Sequence, residues 1–161
     1  KMFKRMQYQL PAVKSFLLLG TGLGSALAIL QKKYDCYPNA VLIDNDEDVL
    51  AFSMRYFSLN TKQNVTWKCM DATHFLHAST QKFDLIGVDI FKDLIAPNYV
   101  TSKAFIEQCK QTLNKNGTVL FNLILSDEES VWKTNKKLQT HFEQVQCIRD
   151  KINTYFICTT N

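Results

Sequence analysis

The 161-residue sequence has no apolar run approaching the roughly 20 residues that a membrane-spanning helix needs, so it points to no membrane partner. Its start, Lys1-Met2-Phe3-Lys4-Arg5-Met6, is basic but has neither the apolar stretch nor the small-residue cleavage site of a signal peptide. No Cys-x-x-Cys pair occurs. The five cysteines (Cys36, Cys69, Cys109, Cys147, Cys158) are odd in number and widely spaced, which points to neither a zinc site nor a disulfide framework. Reduced thiols in a cytoplasmic protein are the simplest reading. Linkers, repeats and low-complexity segments are absent, so residues 1–161 read as a single domain with one sizeable core. A large excess of charge of one sign is lacking as well: the net value of +4 argues weakly against a polycationic substrate and does not establish a nucleic-acid partner. An initiator methionine is missing and the first apolar run begins about 15 residues in, so the chain reads as a piece lacking an N-terminal part.

What the sequence does have is organised around Phe16-Leu17-Leu18-Leu19-Gly20-Thr21-Gly22-Leu23-Gly24-Ser25. A short apolar run bounded by glycine suits a strand buried on both faces. The helix-favouring Ala26-Leu27-Ala28-Ile29-Leu30 follows, so the glycines fall at a strand-to-helix turn. There the backbone can fold tightly and a ligand can approach it, next to the free N–H groups of a helix start. The bland alternative is a tight turn after a core strand. A second apolar run, Ala40-Val41-Leu42-Ile43, ends in Asp44, 20 positions after Gly24. That is close to the spacing at which nucleotide-binding β-α-β units hold ribose hydroxyls with an acid. The alternative is an exposed strand-end acid, which would hold no core.

Apolar runs and helical patterns alternate along the chain, which predicts a parallel sheet with helices on both faces. Strands are expected at 15–19, 41–43, 65–69, 83–90 and 118–125. Helices are expected at 23–33, 46–60, 71–78 (capped by Asp71), 101–113 (capped by Thr101, stopped at Gly117) and 126–142 (Ser126 and Glu129 as a capping box). The end departs from the alternation. Residues 143–149 and 153–159 are two strand-like runs with hairpin spacing and no room for a crossover helix. Five βα units closed by an antiparallel hairpin resemble the arrangement expected of the S-adenosylmethionine-dependent methyltransferase fold, and not that of a nicotinamide-binding domain. The glycine pattern agrees, because Ser25 breaks Gly-x-Gly-x-x-Gly.

Further motifs carry a resemblance. Asp44-Asn45-Asp46-Glu47 is similar to Glu-Ile-Asp-Pro and precedes Arg55-Tyr56-Phe57. Asp71-Ala72 follows the third strand, Phe83-Asp84-Leu85-Ile86-Gly87-Val88-Asp89 is similar to Tyr-Asp-x-Ile-x-x-Asp, and Asn116-Gly117-Thr118-Val119 to Gly-Gly-x-Leu/Val. In this order the chain resembles a spermidine-synthase-like member of the class I S-adenosylmethionine-dependent methyltransferase superfamily. The resemblance implies a Rossmann-like α/β fold, a seven-stranded, mostly parallel sheet with the C-terminal hairpin, and S-adenosylmethionine or its decarboxylated form as cofactor. It implies that Gly20, Thr21, Gly22 and Gly24 wrap the amino-acid end of the cofactor. Asp44 would take the ribose, with Asn45 also binding the cofactor, and Asp71 and Ala72 would take the adenine. Asp71 as a helix cap stays open, since one acid cannot easily do both jobs. Asp89 would orient or deprotonate the acceptor, or hold the cofactor's amino group, against the alternative of a solvated strand-end acid.

Three departures bear on the reaction. Leu23 stands where spermidine synthases carry an acid, Lys92 stands where they carry a second acid (Asp93 is adjacent), and Phe3 stands for the tyrosine of Tyr-x-x-Met. Recognition of a di-cation needs carboxylates. The favoured expectation is therefore methyl transfer to a small-molecule acceptor. Aminopropyl transfer and a non-catalytic nucleoside-binding or regulatory module are the alternatives. A homodimer fits the resemblance. His74 and His77 lack an evident third metal ligand, so no metal is expected.

Overall fold

Ser15–Leu19 forms β1, and its side chains alternate between two cores: Leu17 and Leu19 join one hydrophobic cluster, Phe16 and Leu18 the other. A strand with both faces covered has no polar side, which is why its sequence is an unbroken apolar run. Each of these four buried side chains contributes about 1.5–3 kcal/mol. The computed structural model describes residues 2–7, 9–22, 24–56, 65–93 and 95–160. Around β1 the chain runs α1 (Met2–Arg5), α2 (Ser25–Tyr34), β2 (Asn39–Asp44), α3 (Glu47–Tyr56), β3 (Val65–Cys69), α4 (Ala72–Ala78) and β4 (Phe83–Val88). It continues through α5 (Lys103–Gln111), β5 (Leu113–Leu123), α6 (Glu128–Gln139), β6 (Gln144–Asp150) and β7 (Asn153–Thr159).

The seven strands make one sheet in the order β3-β2-β1-β4-β5-β7-β6. β1 to β5 pair in parallel, and β7 pairs antiparallel with both β5 and β6. Phe75 of α4, Phe105 of α5 and Val131 of α6 pack on one face with Leu17 and Leu19. Leu27 and Leu30 of α2 cover the other face with Phe3, Met6 and Leu10. The expected class I methyltransferase fold with its terminal hairpin is what the chain adopts. Among the described residues no helix is long and apolar enough to cross a membrane.

Element ends differ from expectation where two capping residues compete. The helix expected to start at Thr101 starts at Lys103, because residues 98–101 form a 3₁₀ turn and the extended Ser102 accepts from the Phe105 N–H. The capping box from Ser126 is not formed: Asp127 caps α6 by accepting from the Ser130 N–H, and α6 ends at Gln139. A carboxylate there also meets the positive end of the helix dipole. Gly117 does not end a helix, since α5 stops at Gln111 and β5 already begins at Leu113. β5 then bulges: β4 advances from Phe83 to Leu85 while β5 advances from Leu113 to Thr118. The Asp84 carboxylate holds that bulge, accepting from Asn114 Nδ2 at 2.7 Å and from the Lys14 and Ser15 N–H groups at 2.8 and 3.0 Å. β4 ends at Val88, so Asp89 lies just beyond it. The expected starts of the helices at 23 and the end at 60 involve Leu23 and residues 57–60, which lie outside the described residues, as does Phe57 of the Arg-Tyr-Phe motif.

Candidate active site

Three parallel strands stop side by side, with Leu19 opposite both Ile43 and Val88. Their ladder carries on for one more bond each. The Gly20 N–H donates to the Ile43 carbonyl at 2.9 Å and the Asp89 N–H to the Leu19 carbonyl at 2.8 Å. The carboxyl ends of β1, β2 and β4, where the strand order reverses, therefore open on one crevice, the place where open α/β sheets bind ligands. A cavity of about 740 Å³ lies there, lined by Gly20, Gly22, Asp44, Asn45, Asp71, Ala72 and Asp89 among others. Of the nine residues the sequence nominated, these seven come together.

The turn that follows β1 depends on glycine at two places. Gly20 has φ +80°, and a Cβ on it would fall 2.3 Å from the Asp89 carbonyl oxygen, so the strand-4 backbone itself excludes any side chain. Gly22 has φ +47°, but a Cβ there would meet nothing within 4 Å; it would point into open space. Gly22 thus leaves room for something other than protein. Gly24, at φ +72°, is the residue before α2 and is not on the cavity wall. Thr21 is not on the wall either. Its side chain is buried with Oγ1 unpartnered, and it serves the turn through its N–H.

Asp44 does more than a strand-end acid. Its Oδ2 accepts from the Thr21 and Gly22 N–H groups at 2.9 and 3.2 Å, and Oδ1 accepts from the Asp46 N–H at 3.1 Å. The carboxylate therefore ties the end of β2 to the glycine turn. Fully buried Ser53 of α3 adds a second tie, donating to the Gly22 carbonyl. Sequence reading gave no sign of Ser53, because its partner is 31 positions away.

At the next edge Asp71 caps α4: Oδ1 accepts from the Thr73 and His74 N–H groups at 2.8 and 3.0 Å and from the Thr73 hydroxyl. The Thr73 hydroxyl bond, with those N–H bonds, holds this carboxyl below the usual range. The cap alternative is thus realised, on an acid that also lines the cavity. Tyr99 lines the same cavity and was missed, since nothing in its sequence neighbourhood marks it. Its ring packs edge-on against Phe105, with centroids 5.5 Å apart at 65°.

Asp89 is half-buried, where Asp71 is exposed. Burial pushes its carboxyl up, opposed by Asn122, whose Nδ2 donates to Oδ1 at 2.8 Å. The amide oxygen of Asn122 is itself buried without a partner. Lys92 and Asp93 both reach the cavity wall, in a loop where Asp93 has φ +59° and Lys92 bridges to Ile95. Phe3 and Met6 do not line it: they are buried in the α2-side core, Phe3 edge-on to Tyr34. Leu23 lies outside the described residues. Among the described residues no group of three His, Cys, Asp or Glu side chains is placed to hold a metal.

The spermine/spermidine synthase domain pattern matches residues 6–160. A probable polyamine aminopropyl transferase of Bifidobacterium longum (strain NCC 2705) is 30% identical over 114 residues, covering 70% of this chain and 25% of that protein. Two solved structures are similar in fold. A probable spermidine synthase from Corynebacterium glutamicum ATCC 13032 superposes with a TM-score of 0.80 at 20% identity, covering 91% of this chain and 56% of that one. Human methyltransferase-like protein 13, in complex with SAH, gives 0.81 at 16% identity, covering 96% and 76%. Against curated relatives the chain spans from a quarter to about half of their length (25% and 52%).

Proposed function

The chain belongs to the spermine/spermidine synthase domain family, and on that premise we propose that it is a transferase that binds S-adenosylmethionine, or its decarboxylated form, and passes a methyl group to a small-molecule acceptor. One observation carries the reading: Asp44, Asp71 and Asp89 converge on a single cavity around Gly20 and Gly22. The cavity's volume suits an adenosyl compound. The residues fit such a ligand in kind. Gly22 leaves open space beside the turn. Asp44 is a carboxylate of the type that accepts from a vicinal diol. Asp71, with the Ala72 N–H at the start of α4, offers an acceptor and a donor to the base.

A bound S-adenosylmethionine would supply an electrophilic methyl carbon and, in its sulfonium, a leaving group that departs as a neutral thioether. The remaining work falls to the protein. Asp89 accepts the proton that the acceptor nucleophile loses as its new bond to carbon forms. The burial that pushes Asp89 up makes it a stronger base than an ordinary carboxylate, and the Asn122 amide donates to Oδ1, which leaves Oδ2 free of that bond to take the proton. Lys92 sets a positive charge on the wall where a polyamine enzyme would set a negative one, which favours a neutral or anionic acceptor.

Aminopropyl transfer from decarboxylated S-adenosylmethionine is the second reading. Asp93 favours it, since its place on the cavity wall restores a carboxylate one step from Lys92. Calorimetry with S-adenosylmethionine, its decarboxylated form, methylthioadenosine and NAD tests the class. Binding of the adenosyl compounds but not NAD supports it, and the preferred donor separates the two readings. No adenosyl binding would leave only a non-catalytic module.

A further inference from the structure

Tyr99 stands at the Asp71 end of the cavity, and nothing in the function proposed so far uses it. It is half-buried, reached through the 3₁₀ turn at residues 98–101, and held on its inner side by the edge-on contact with Phe105. An aromatic ring fixed by a second ring is a preorganised wall for a flat ligand. The phenol is also within electrostatic reach of Asp71: after burial, the Asp71 charge is the second cause that keeps the hydroxyl protonated beyond its ordinary range. The hydroxyl is a donor on the same cavity wall as a carboxylate whose capping bonds all fall on Oδ1. A donor and an acceptor on one wall, with the apolar Pro97 and Met70 in the same lining, complement the polar edge and the flat face of a purine.

We propose that Tyr99 is the base-reading residue of this cavity: its ring packs against the purine, and its hydroxyl shares the purine's polar edge with Asp71. The inference rests on the adenosyl reading above and deepens it, because it assigns the discrimination among bases to a residue outside the glycine turn and outside the acid motifs. Stacking on an aromatic side chain contributes about 1–3 kcal/mol per base elsewhere, which corresponds to roughly five- to 150-fold in affinity.

The test uses methylthioadenosine and methylthioinosine as probes, with calorimetry on the wild-type chain, Tyr99→Phe and Tyr99→Ala. Tyr99→Ala is expected to weaken methylthioadenosine binding at least about fivefold. Tyr99→Phe keeps the ring on Phe105, so it is expected to retain most of the affinity while narrowing the preference for the adenine over the hypoxanthine base. A folding-independent arm uses wild-type protein with labelled tyrosines: nuclear Overhauser contacts from the purine H2 or H8 to the ring that Tyr99→Phe removes from the spectrum. Contacts to that ring support the proposal even if Tyr99→Ala fails to fold. Wild-type binding with no such contact, or a folded Tyr99→Ala with unchanged affinity, overturns it and leaves the adenosyl reading intact. Failure of the wild-type chain to bind either nucleoside overturns both.

Discussion

A single carboxylate joins fold and site at Asp44. Sequence reasoning treats a strand-end acid as irrelevant to stability, yet this one accepts three backbone N–H groups and ties the glycine turn to β2. Asp44→Ala is therefore expected to weaken adenosyl binding by about 1.5–3 kcal/mol, and also to lower stability by about 1 kcal/mol through the freed turn. Calorimetry and thermal unfolding of the same variant check both, and wild-type affinity in a folded variant would refute the ribose role. Asp84 is the counterpart at the other end of the sheet, with no place in the cavity. Burial works to raise its carboxyl, but the bonds from Asn114, Lys14 and Ser15 outweigh it and hold the group below the ordinary range. A depressed carboxylate stabilises above its unfolded-state value of about 4 and loses that contribution as pH falls through its folded value. Asp84→Ala should cost about 1–3 kcal/mol at pH 7. The gap to wild type should then shrink as pH drops below about 4, as read from urea midpoints across that window. A pH-independent gap would mean that the cost is packing alone.

At the level of elements, the sheet was legible and the helix ends were not, for one physical reason. A strand segment covered on both faces must be apolar, and residues 16–19 of β1, 85–88 of β4 and 119–121 of β5 are, with alternate residues feeding the two cores. The two-residue turn Lys151-Ile152 between β6 and β7 excluded a crossover helix on length alone. Helix starts, by contrast, were decided by which of two adjacent polar residues took the extended backbone, and at both Ser102 and Asp127 it was the second one. The stretch at 114–117 looked like a helix stop because Asn-Gly signals any sharp turn. Its use as a strand bulge depends on Asp84, 30 positions earlier. Among site elements, the strand-to-helix turn at the glycines was legible, although Thr21 and Gly24 stand off the cavity wall, whereas Ser53 and Tyr99 reach the site only through tertiary proximity. The turn also gives the sharpest element-scale test. Gly22→Val meets no protein atom, so its fold cost should be limited to the positive φ, about 1–3 kcal/mol. Its side chain would project into the ligand's space, and methylthioadenosine binding should fall below detection while circular dichroism still reports the sheet. Normal binding would show that the turn is purely structural.

For the whole molecule, the topology gathers charge that the composition conceals. The chain carries +4 overall, yet its cavity wall carries Asp44, Asp46, Asp71, Asp89 and Asp93 against Lys92. Such a wall favours a cationic sulfonium whatever the acceptor, because the field inside a cleft is set by its lining and not by the distant net charge. The acceptor is then chosen locally, between Asp89 and the Lys92–Asp93 pair. If Asp89 is the proton acceptor, Asp89→Asn should leave adenosyl binding within about tenfold and lower transfer by about 10²–10⁴-fold, since an amide keeps the shape but cannot take the proton. If Lys92 is what keeps polyamines out, Lys92→Asp should improve putrescine use with decarboxylated S-adenosylmethionine while leaving methyl transfer to a neutral acceptor little changed. Lys92 is exposed, so solvent screening limits that gain to roughly tenfold or less. Single-turnover assays with both donors, on wild type and the two variants, read all of this together. Efficient spermidine formation by the wild-type chain would assign it to aminopropyl transfer with Asp93 as the acceptor's carboxylate. Transfer undiminished in Asp89→Asn would move the proton-accepting role away from Asp89.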